Sequence, residues 1–233
     1  MTQPDPDETE IEGALRQRFA LRTEPFAHGS LALDVLLPES AEALIDEAEF
    51  DADERLPYWA DLWPSARALT RHLLDHPPPA ARAIELGAGV ALPSLALHSL
   101  GREVLATDYY SDALLFARAN AERNRLPPLE TRLLDWRHPP AELGHFDLIL
   151  AADVLYEQRN AEALSKALPV LAAPDAVVLL ADPGRVWLRE FRARMAEAGW
   201  RVEEAATRSE PAPGPTGSQR SQVRILELQP PSA

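Results

Sequence analysis

Short apolar runs alternate with stretches of helical periodicity from residue 83 to residue 198, and this alternation constrains the fold more than any other feature. The first apolar run, 83–86, ends in a glycine turn that leads to a helix predicted over 92–99. A strand, a helix and a second strand pack as a right-handed parallel unit, and here the pattern repeats. We therefore expect an α/β, doubly wound, mostly parallel seven-stranded sheet with helices on both faces.

The other elements of this fold follow from the same periodicities. Six further strands are predicted at 103–107, 131–134, 146–152, 176–181, 200–203 and 222–228. Four further helices are predicted at 63–75, 111–123, 160–171 and 186–198.

Regions at both ends of the chain do not share this pattern. Residues 1–10 are charged and contain proline, which is typical of a disordered acidic tail. Residues 11–56 are mixed in character, and we interpret them as an N-terminal extension with a short strand or two and some helix. The main domain is expected to span 57–229. Within it, 210–220 is rich in Pro, Gly and Ser and is predicted to be a flexible surface loop.

Charge and cysteine content exclude several classes of function. The chain has 23 basic and 37 acidic residues and a net charge of −14, so we expect no nucleic-acid partner. It has no cysteine, which excludes disulfides, thiol catalysis and Cys-ligated zinc. Neither an apolar leader nor a long apolar run is present, and we expect a cytoplasmic, monomeric protein with no membrane partner. Arg supplies nearly all the basic residues, which suggests a GC-rich bacterial genome.

The glycine turn after the first predicted strand is the strongest candidate binding motif. Gly87 and Gly89 allow a tight turn and let a ligand approach the backbone without meeting a Cβ atom. Asp108 follows at the end of the next predicted strand, where a carboxylate can accept hydrogen bonds from ribose hydroxyls. A glycine turn that binds no ligand is the alternative.

Two residues near the glycine turn favour one class of nucleotide ligand. A dinucleotide site would have Gly or Ala at position 92, where this chain has Leu92, and Glu85 would repel a pyrophosphate. A negative group there suits a ligand that carries an ammonium or a sulfonium. S-Adenosylmethionine fits that description.

A third candidate contact follows the third strand of the domain. Asp135 is placed to accept a hydrogen bond from an adenine amino group, and Trp136 to cover the ring. The alternative is a turn-forming Asp beside a buried Trp.

Five segments together resemble a known family. They are PYWADLWP at 57–64, IELGAG at 84–89, LDW at 134–136, DVLY at 153–156 and ADPGR at 181–185. The chain resembles class I, seven-strand S-adenosylmethionine-dependent methyltransferases, within the group of protein lysine methyltransferases and nicotinamide N-methyltransferase-like proteins. The last segment is similar to electron transfer flavoprotein β-subunit lysine methyltransferases. The resemblance implies a Rossmann-like fold and S-adenosylmethionine as cofactor.

The resemblance also implies a set of site residues. Asp153 and Tyr156 would be catalytic, orienting an acceptor amine, with Asp153 placed to take its proton; the alternatives are a helix cap and a core aromatic. Asp182 and Arg185 would contact the substrate, or Asp182 would only start a turn. The expected cofactor-binding residues are Trp59, Trp63, Glu85, Gly87, Ala88, Gly89, Asp108, Tyr109, Asp135, Trp136 and Ala152. For the two tryptophans, core packing is an equal alternative.

Several functions remain open at this point. N-methylation of a protein lysine is the leading hypothesis. A small-molecule amine is a second possible acceptor, and a non-catalytic binding module with this fold is a third hypothesis. An NAD-dependent oxidoreductase is the weakest, because no Ser/Tyr/Lys catalytic set is recognisable. We expect no metal: His72 and His76 have ligand-like spacing, but the sequence shows no third ligand.

Overall fold

The computed structural model describes residues 10–41, 44, 57–79, 82–212 and 219–231. Its strands are β1 (Leu21–His28), β2 (Leu31–Pro38), β3 (Arg82–Leu86), β4 (Glu103–Asp108), β5 (Glu130–Leu133), β6 (Phe146–Ala152), β7 (Ala172–Asp182), β8 (Arg201–Pro211) and β9 (Arg220–Gln229). Its helices are α1 (Glu10–Arg18), α2 (Pro64–Asp75), α3 (Leu92–Ser99), α4 (Ser111–Arg123), α5 (Gln158–Leu171) and α6 (Leu188–Glu197). Single 3-10 turns lie at Tyr58–Ala60 and Ala141–Leu143.

Seven strands form one mostly parallel sheet in the order β5-β4-β3-β6-β7-β9-β8. The first five strands in this order pair in parallel, whereas β9 is antiparallel to both of its neighbours. The chain runs outward from β3 to β5 and then returns to place β6 on the other side of β3. This reversal opens a crevice at the carboxyl ends of β3 and β6, where ligands bind in such folds. The predicted sheet is confirmed.

Two apolar layers cover the two faces of the sheet. On one face α2, α3 and α4 bury side chains such as Leu69, Leu92 and Phe116. On the other face α5 and α6 bury side chains such as Leu164 and Phe191. Because the central strands are covered on both sides, they are almost entirely apolar, as the continuous run in β6 illustrates.

The N-terminal extension contributes α1 and the antiparallel β1–β2 hairpin, which confirms the prediction of strands and some helix. Two asparagines one turn apart, Asn120 of α4 and Asn124 at its C-cap, hold β2. The side chain of Asn120 accepts from the Leu36 amide at 2.6 Å and donates to the Leu36 carbonyl at 3.1 Å. Asn124 makes the same pair of bonds with Asp34. The two side-chain amides bond the backbone N–H and C=O groups of Asp34 and Leu36, as a neighbouring strand would at this edge of β2.

The boundaries predicted for 210–220 were wrong at both ends. Strand β8 extends to Pro211 and β9 begins at Arg220, so that the two edge strands form a long hairpin. Glu210 is buried and accepts a hydrogen bond from Arg71 of α2 at 3.0 Å, which fixes this end of β8. The tertiary contact overrides the local Pro and Gly composition. The middle of the predicted loop, 213–218, lies outside the described residues.

Two other predicted features also lie outside the described part of the chain. They are residues 1–9 of the predicted tail and most of the segment between β2 and the Tyr58–Ala60 turn. Among the helices that the structure describes, none has the length and apolar character needed to cross a bilayer.

Candidate active site

The glycine turn lies where β3 ends at the crevice, and its geometry depends on glycine. Gly87 and Gly89 both have positive φ, at 70° and 54°. A Cβ at position 89 would lie 3.2 Å from the Trp59 carbonyl oxygen, and one at position 87 would lie 3.2 Å from Val154. Both residues have the positive φ of the tight turn that the sequence predicted, and an added Cβ at either would be closer than ordinary van der Waals contact to a neighbouring atom.

Asp108 ties the glycine turn to the end of β4. One carboxylate oxygen accepts from the Gly89 amide at 2.9 Å, and the other accepts from the Tyr110 amide at 2.9 Å. A carboxylate oxygen can accept more than one hydrogen bond. Asp108 therefore stands at the crevice as an oriented acceptor.

Glu85 differs from its expected role as a negative charge facing a cationic ligand. It lines the crevice but is only 1% exposed, and its Oε2 accepts from both the amide of Ser94, at 3.0 Å, and the hydroxyl of Ser94. Burial raises the pKa of the Glu85 carboxyl to about 8. The neutral form is therefore favoured near pH 7, and the main contact of this carboxyl is with the start of α3.

The crevice is an open cleft of about 930 Å³, including its mouth. Every residue predicted to bind the cofactor lines it, and so do Asp153 and Tyr156. The lining combines carboxylate acceptors, aromatic rings and the glycine turn, a combination that suits a nucleoside. These residues fit S-adenosylmethionine.

Trp59 combines its two predicted roles. It lines the cleft, and its ring also packs against Phe116 of α4 with centroids 5.4 Å apart. Asp135 does the same. It lines the cleft, but it also accepts from the Arg137 amide at 3.0 Å and forms an ion pair with the Arg137 side chain.

A second cleft of about 430 Å³ adjoins the first, and we call it the acceptor cleft. It is lined by Tyr58, Trp63, Asp153, Tyr156 and Arg185. All but Arg185 line both clefts, so the two spaces meet at these four residues.

Asp153 lies at the junction, just after β6, in the left-handed region with φ of 60°. Its side chain is 3% exposed; Oδ1 accepts from Arg185 Nε at 2.7 Å, and Oδ2 accepts from the Ser65 hydroxyl at 3.2 Å. The N-cap of α5 is Glu157. The structure thus does not support the helix-cap alternative for Asp153.

Aromatic rings form the walls of the junction. Tyr156 is 37% exposed, which argues against the core-aromatic alternative, and its ring meets Tyr58 edge-on with centroids 4.8 Å apart. The indole of Trp63 donates to the Tyr58 carbonyl at 2.7 Å. Three aromatic rings therefore line the junction around one carboxylate.

The two residues predicted to contact the substrate differ in position. Asp182 is fully buried and lines neither of the two described clefts; its Oδ1 accepts from the Gly184 and Arg185 amides, both at 2.7 Å. The structure therefore assigns Asp182 to the turn after β7, which was the alternative. Arg185 alone of the pair lines the acceptor cleft.

Comparison with known proteins matches this architecture to one family. A profile described as lysine methyltransferase matches residues 58–191, which is more than half of the chain and includes both clefts. The chain belongs to the lysine methyltransferase family. The predicted family resemblance is confirmed.

Curated proteins similar to the chain include members of this family. An electron transfer flavoprotein β-subunit lysine methyltransferase from Danio rerio is 32% identical over 142 residues, covering 59% of this chain and 54% of that protein. A protein N-terminal and lysine N-methyltransferase from Eremothecium gossypii is 35% identical over 175 residues, covering 63% and 65%. The chain spans about half the length of the first relative and under two thirds of the second.

Solved structures show the same fold at low sequence identity. The structure of a magnesium protoporphyrin IX methyltransferase from Synechocystis, with bound S-adenosylmethionine, superposes with a TM-score of 0.55 at 18% identity. The match covers 71% of this chain and 77% of that one.

Two residues at the junction of the clefts escaped the sequence analysis. Tyr58 belongs to the motif at 57–64 but drew no separate prediction. Ser65 directly follows that motif, and its contact with Asp153 joins residues that are 88 positions apart. The position of Ser65 immediately after the Trp63-Pro64 pair was the only local signal.

Proposed function

We propose that this protein is an S-adenosylmethionine-dependent N-methyltransferase that acts on a protein lysine. The observation that carries the proposal is the meeting of two clefts at Asp153: one has the groups to hold a nucleoside, and the other is a narrow aromatic enclosure. Membership of the lysine methyltransferase family supports the same conclusion. The cofactor would supply a methyl group already activated by a sulfonium.

The cofactor cleft would hold its ligand through three groups of contacts. Asp108 would accept from the ribose hydroxyls, and the turn at Gly87 and Gly89 would allow close approach of the methionine part. Asp135 and Trp136 would contact the adenine. The chain therefore contributes mainly alignment, which is the chief requirement of an in-line displacement.

In the acceptor cleft, Tyr58, Trp63 and Tyr156 would direct an extended side chain toward the junction. A lysine amine has an ordinary pKa near 10.4, so it must lose a proton before its lone pair can attack. The nitrogen lone pair then forms the new N–C bond, the C–S bond breaks, and its electron pair remains on sulfur. Asp153 would orient the amine and, after transfer, receive the proton that the methylated nitrogen releases, directly or through water.

Labelled methyl transfer tests the proposed acceptor. Purified protein is incubated with labelled S-adenosylmethionine and either electron transfer flavoprotein β-subunit, which the Danio rerio relative is named for, or a cell lysate. Acid hydrolysis of the labelled product should yield methyllysine. Label recovered only in methylarginine, at an N-terminus or in a small molecule would contradict a protein lysine as the acceptor.

A further inference from the structure

The Asp153 carboxylate, proposed above to receive the acceptor amine, already has a cationic partner. Arg185 Nε donates to Asp153 Oδ1 at 2.7 Å, and the guanidinium carbon lies 5.6 Å from the centre of the Trp63 ring. The Asp153 side chain is 3% exposed, whereas 35% of the Arg185 side chain faces solvent. A cation thus sits against both the carboxylate and an aromatic wall of the acceptor cleft.

Hydrogen bonds from neighbouring residues hold both members of this ion pair in place. The buried Asp182 accepts the amides of Gly184 and Arg185 and thereby fixes the loop that carries the guanidinium. Ser65, fully buried at the start of α2, donates to the other oxygen of Asp153. Three separate elements therefore hold the pair together, and both carboxylate oxygens accept a hydrogen bond.

We propose that Arg185 is a positioning residue that neutralises Asp153, so that the acceptor cleft receives the acceptor amine in its neutral, nucleophilic form. The inference rests on the proposed function. It gives Arg185 a role different from direct contact with the substrate.

The charges around the pair support this role. A buried carboxylate without Arg185 would stabilise a bound ammonium by Coulombic attraction and keep its lone pair protonated. With Arg185 in place, the pair sums to no net charge. Burial raises the pKa of the nearby Asp182 carboxyl, and hydrogen bonds from the Gly184 and Arg185 amides oppose that shift. The other titratable side chains that line the acceptor cleft are those of Tyr58 and Tyr156.

Binding of a lysine side-chain probe tests the inference without requiring catalysis. The probe is n-butylammonium, with 1-butanol as its uncharged counterpart, titrated at pH 7 by ligand-observed NMR into protein saturated with S-adenosylhomocysteine. Arg185→Gln should bind n-butylammonium about tenfold more tightly than the wild type. The Asp153 carboxylate, no longer paired with Arg185, should raise the pKa of the bound amine by at least one unit. Affinity for 1-butanol should stay constant.

Three further variants separate charge from structure. Arg185→Lys retains the positive charge and should bind the cation as weakly as the wild type. Arg185→Gln combined with Asp153→Asn should lose the gain. Arg194→Gln removes an arginine that pairs with Glu190 and Glu162 on the α5–α6 side of the sheet, and should change nothing.

The same variants should shift the pH dependence of turnover. In Arg185→Gln the rise of kcat/KM with pH should move to higher pH by about one unit, and Arg185→Lys should restore it. Equal or weaker n-butylammonium binding by Arg185→Gln, or a uniform loss of rate at every pH, would overturn the inference. Failure to bind S-adenosylhomocysteine would instead count against the proposed function.

Discussion

The cofactor cleft and the acceptor cleft meet at Asp153, yet they are built differently. The cofactor cleft is built around a backbone turn: glycines with positive φ turn the chain after β3, and the Gly89 amide holds Asp108. Side chains from separate loops shape the acceptor cleft, where Arg185, Asp153 and Ser65 hold one another. A change in the glycine turn should alter the shape of the cofactor cleft. A single side-chain substitution in the acceptor cleft should instead alter its charge and hydrogen bonding. Variants should therefore affect either cofactor affinity or turnover, according to the cleft in which the substitution lies.

Asp153→Asn should give the largest effect, and it should fall on turnover rather than on cofactor affinity. Loss of the carboxylate should lower kcat by about 100-fold or more, the usual scale for a positioned acid or base. Affinity for S-adenosylhomocysteine should stay unchanged by calorimetry. Asp147→Asn, at the opposite end of β6, is the matched control. Full turnover in Asp153→Asn would remove the residue from catalysis.

Gly89→Ala should act on the cofactor side alone. The new methyl group would lie 3.2 Å from the Trp59 carbonyl oxygen and force the turn to move. Gly101→Ala is the control, because position 101 also has positive φ but no atom of the described residues lies within 4 Å of an added Cβ. Both variants should lose about 1–2 kcal/mol of stability from backbone strain.

The two glycine variants should differ in calorimetry with S-adenosylhomocysteine. Only Gly89→Ala should weaken binding, by about tenfold or more, given that a 1.4 kcal/mol loss corresponds to a factor of ten. Equal affinity in the two variants would show that the close approach at Gly89 has no part in the binding site.

Asp108→Asn should weaken S-adenosylhomocysteine binding by about tenfold, since hydrogen bonds to charged groups contribute roughly 1.5–3 kcal/mol and the amide still offers one acceptor. The KM for the acceptor should not change. Isothermal titration and steady-state kinetics measure the two effects. Unchanged affinity would exclude Asp108 from the ribose contact.

Glu85→Gln should alter the pH dependence of stability more than ligand binding. Because folding raises the pKa of Glu85 to about 8, the native state binds more protons than the unfolded state between about pH 4.5 and 8. This group therefore destabilises the fold as pH rises through that window, by up to about 1.4 kcal/mol per unit. The neutral glutamine removes the slope.

Urea unfolding at pH 5.5, 6.5 and 7.5 measures this effect. The free energy of unfolding of Glu85→Gln should rise relative to that of the wild type across the series. If the free energies of unfolding of the two proteins vary with pH in parallel, Glu85 is ionised in the native state. That result would support the negative charge that the sequence analysis expected at this position.

Local patterns were sufficient to predict the parts of the molecule that depend on backbone. The bounds of α3 and α4 match their predicted ranges, because each begins after a turn and follows a covered strand. The glycine turn and Asp108 were recognisable because the turn needs particular residue types at fixed spacing. The end of β8 was missed because the buried contact between Glu210 and Arg71 spans 139 positions.

The acceptor cleft was only partly predictable for the same reason. Its residues were named individually, but the pairing of Asp153 with Arg185 depends on the path of two loops and on side-chain rotamers. Asp182 was predicted to contact substrate because it ends β7 at the site edge. Its side chain instead turns back to the amides of its own loop.

Calorimetric titration of the purified protein with S-adenosylhomocysteine, with NAD as the control, tests the central claim most directly. The cofactor cleft predicts binding in the micromolar range for S-adenosylhomocysteine, about −8 kcal/mol, and none for NAD. Binding of NAD, or of neither ligand, would contradict the assignment of the cleft to S-adenosylmethionine.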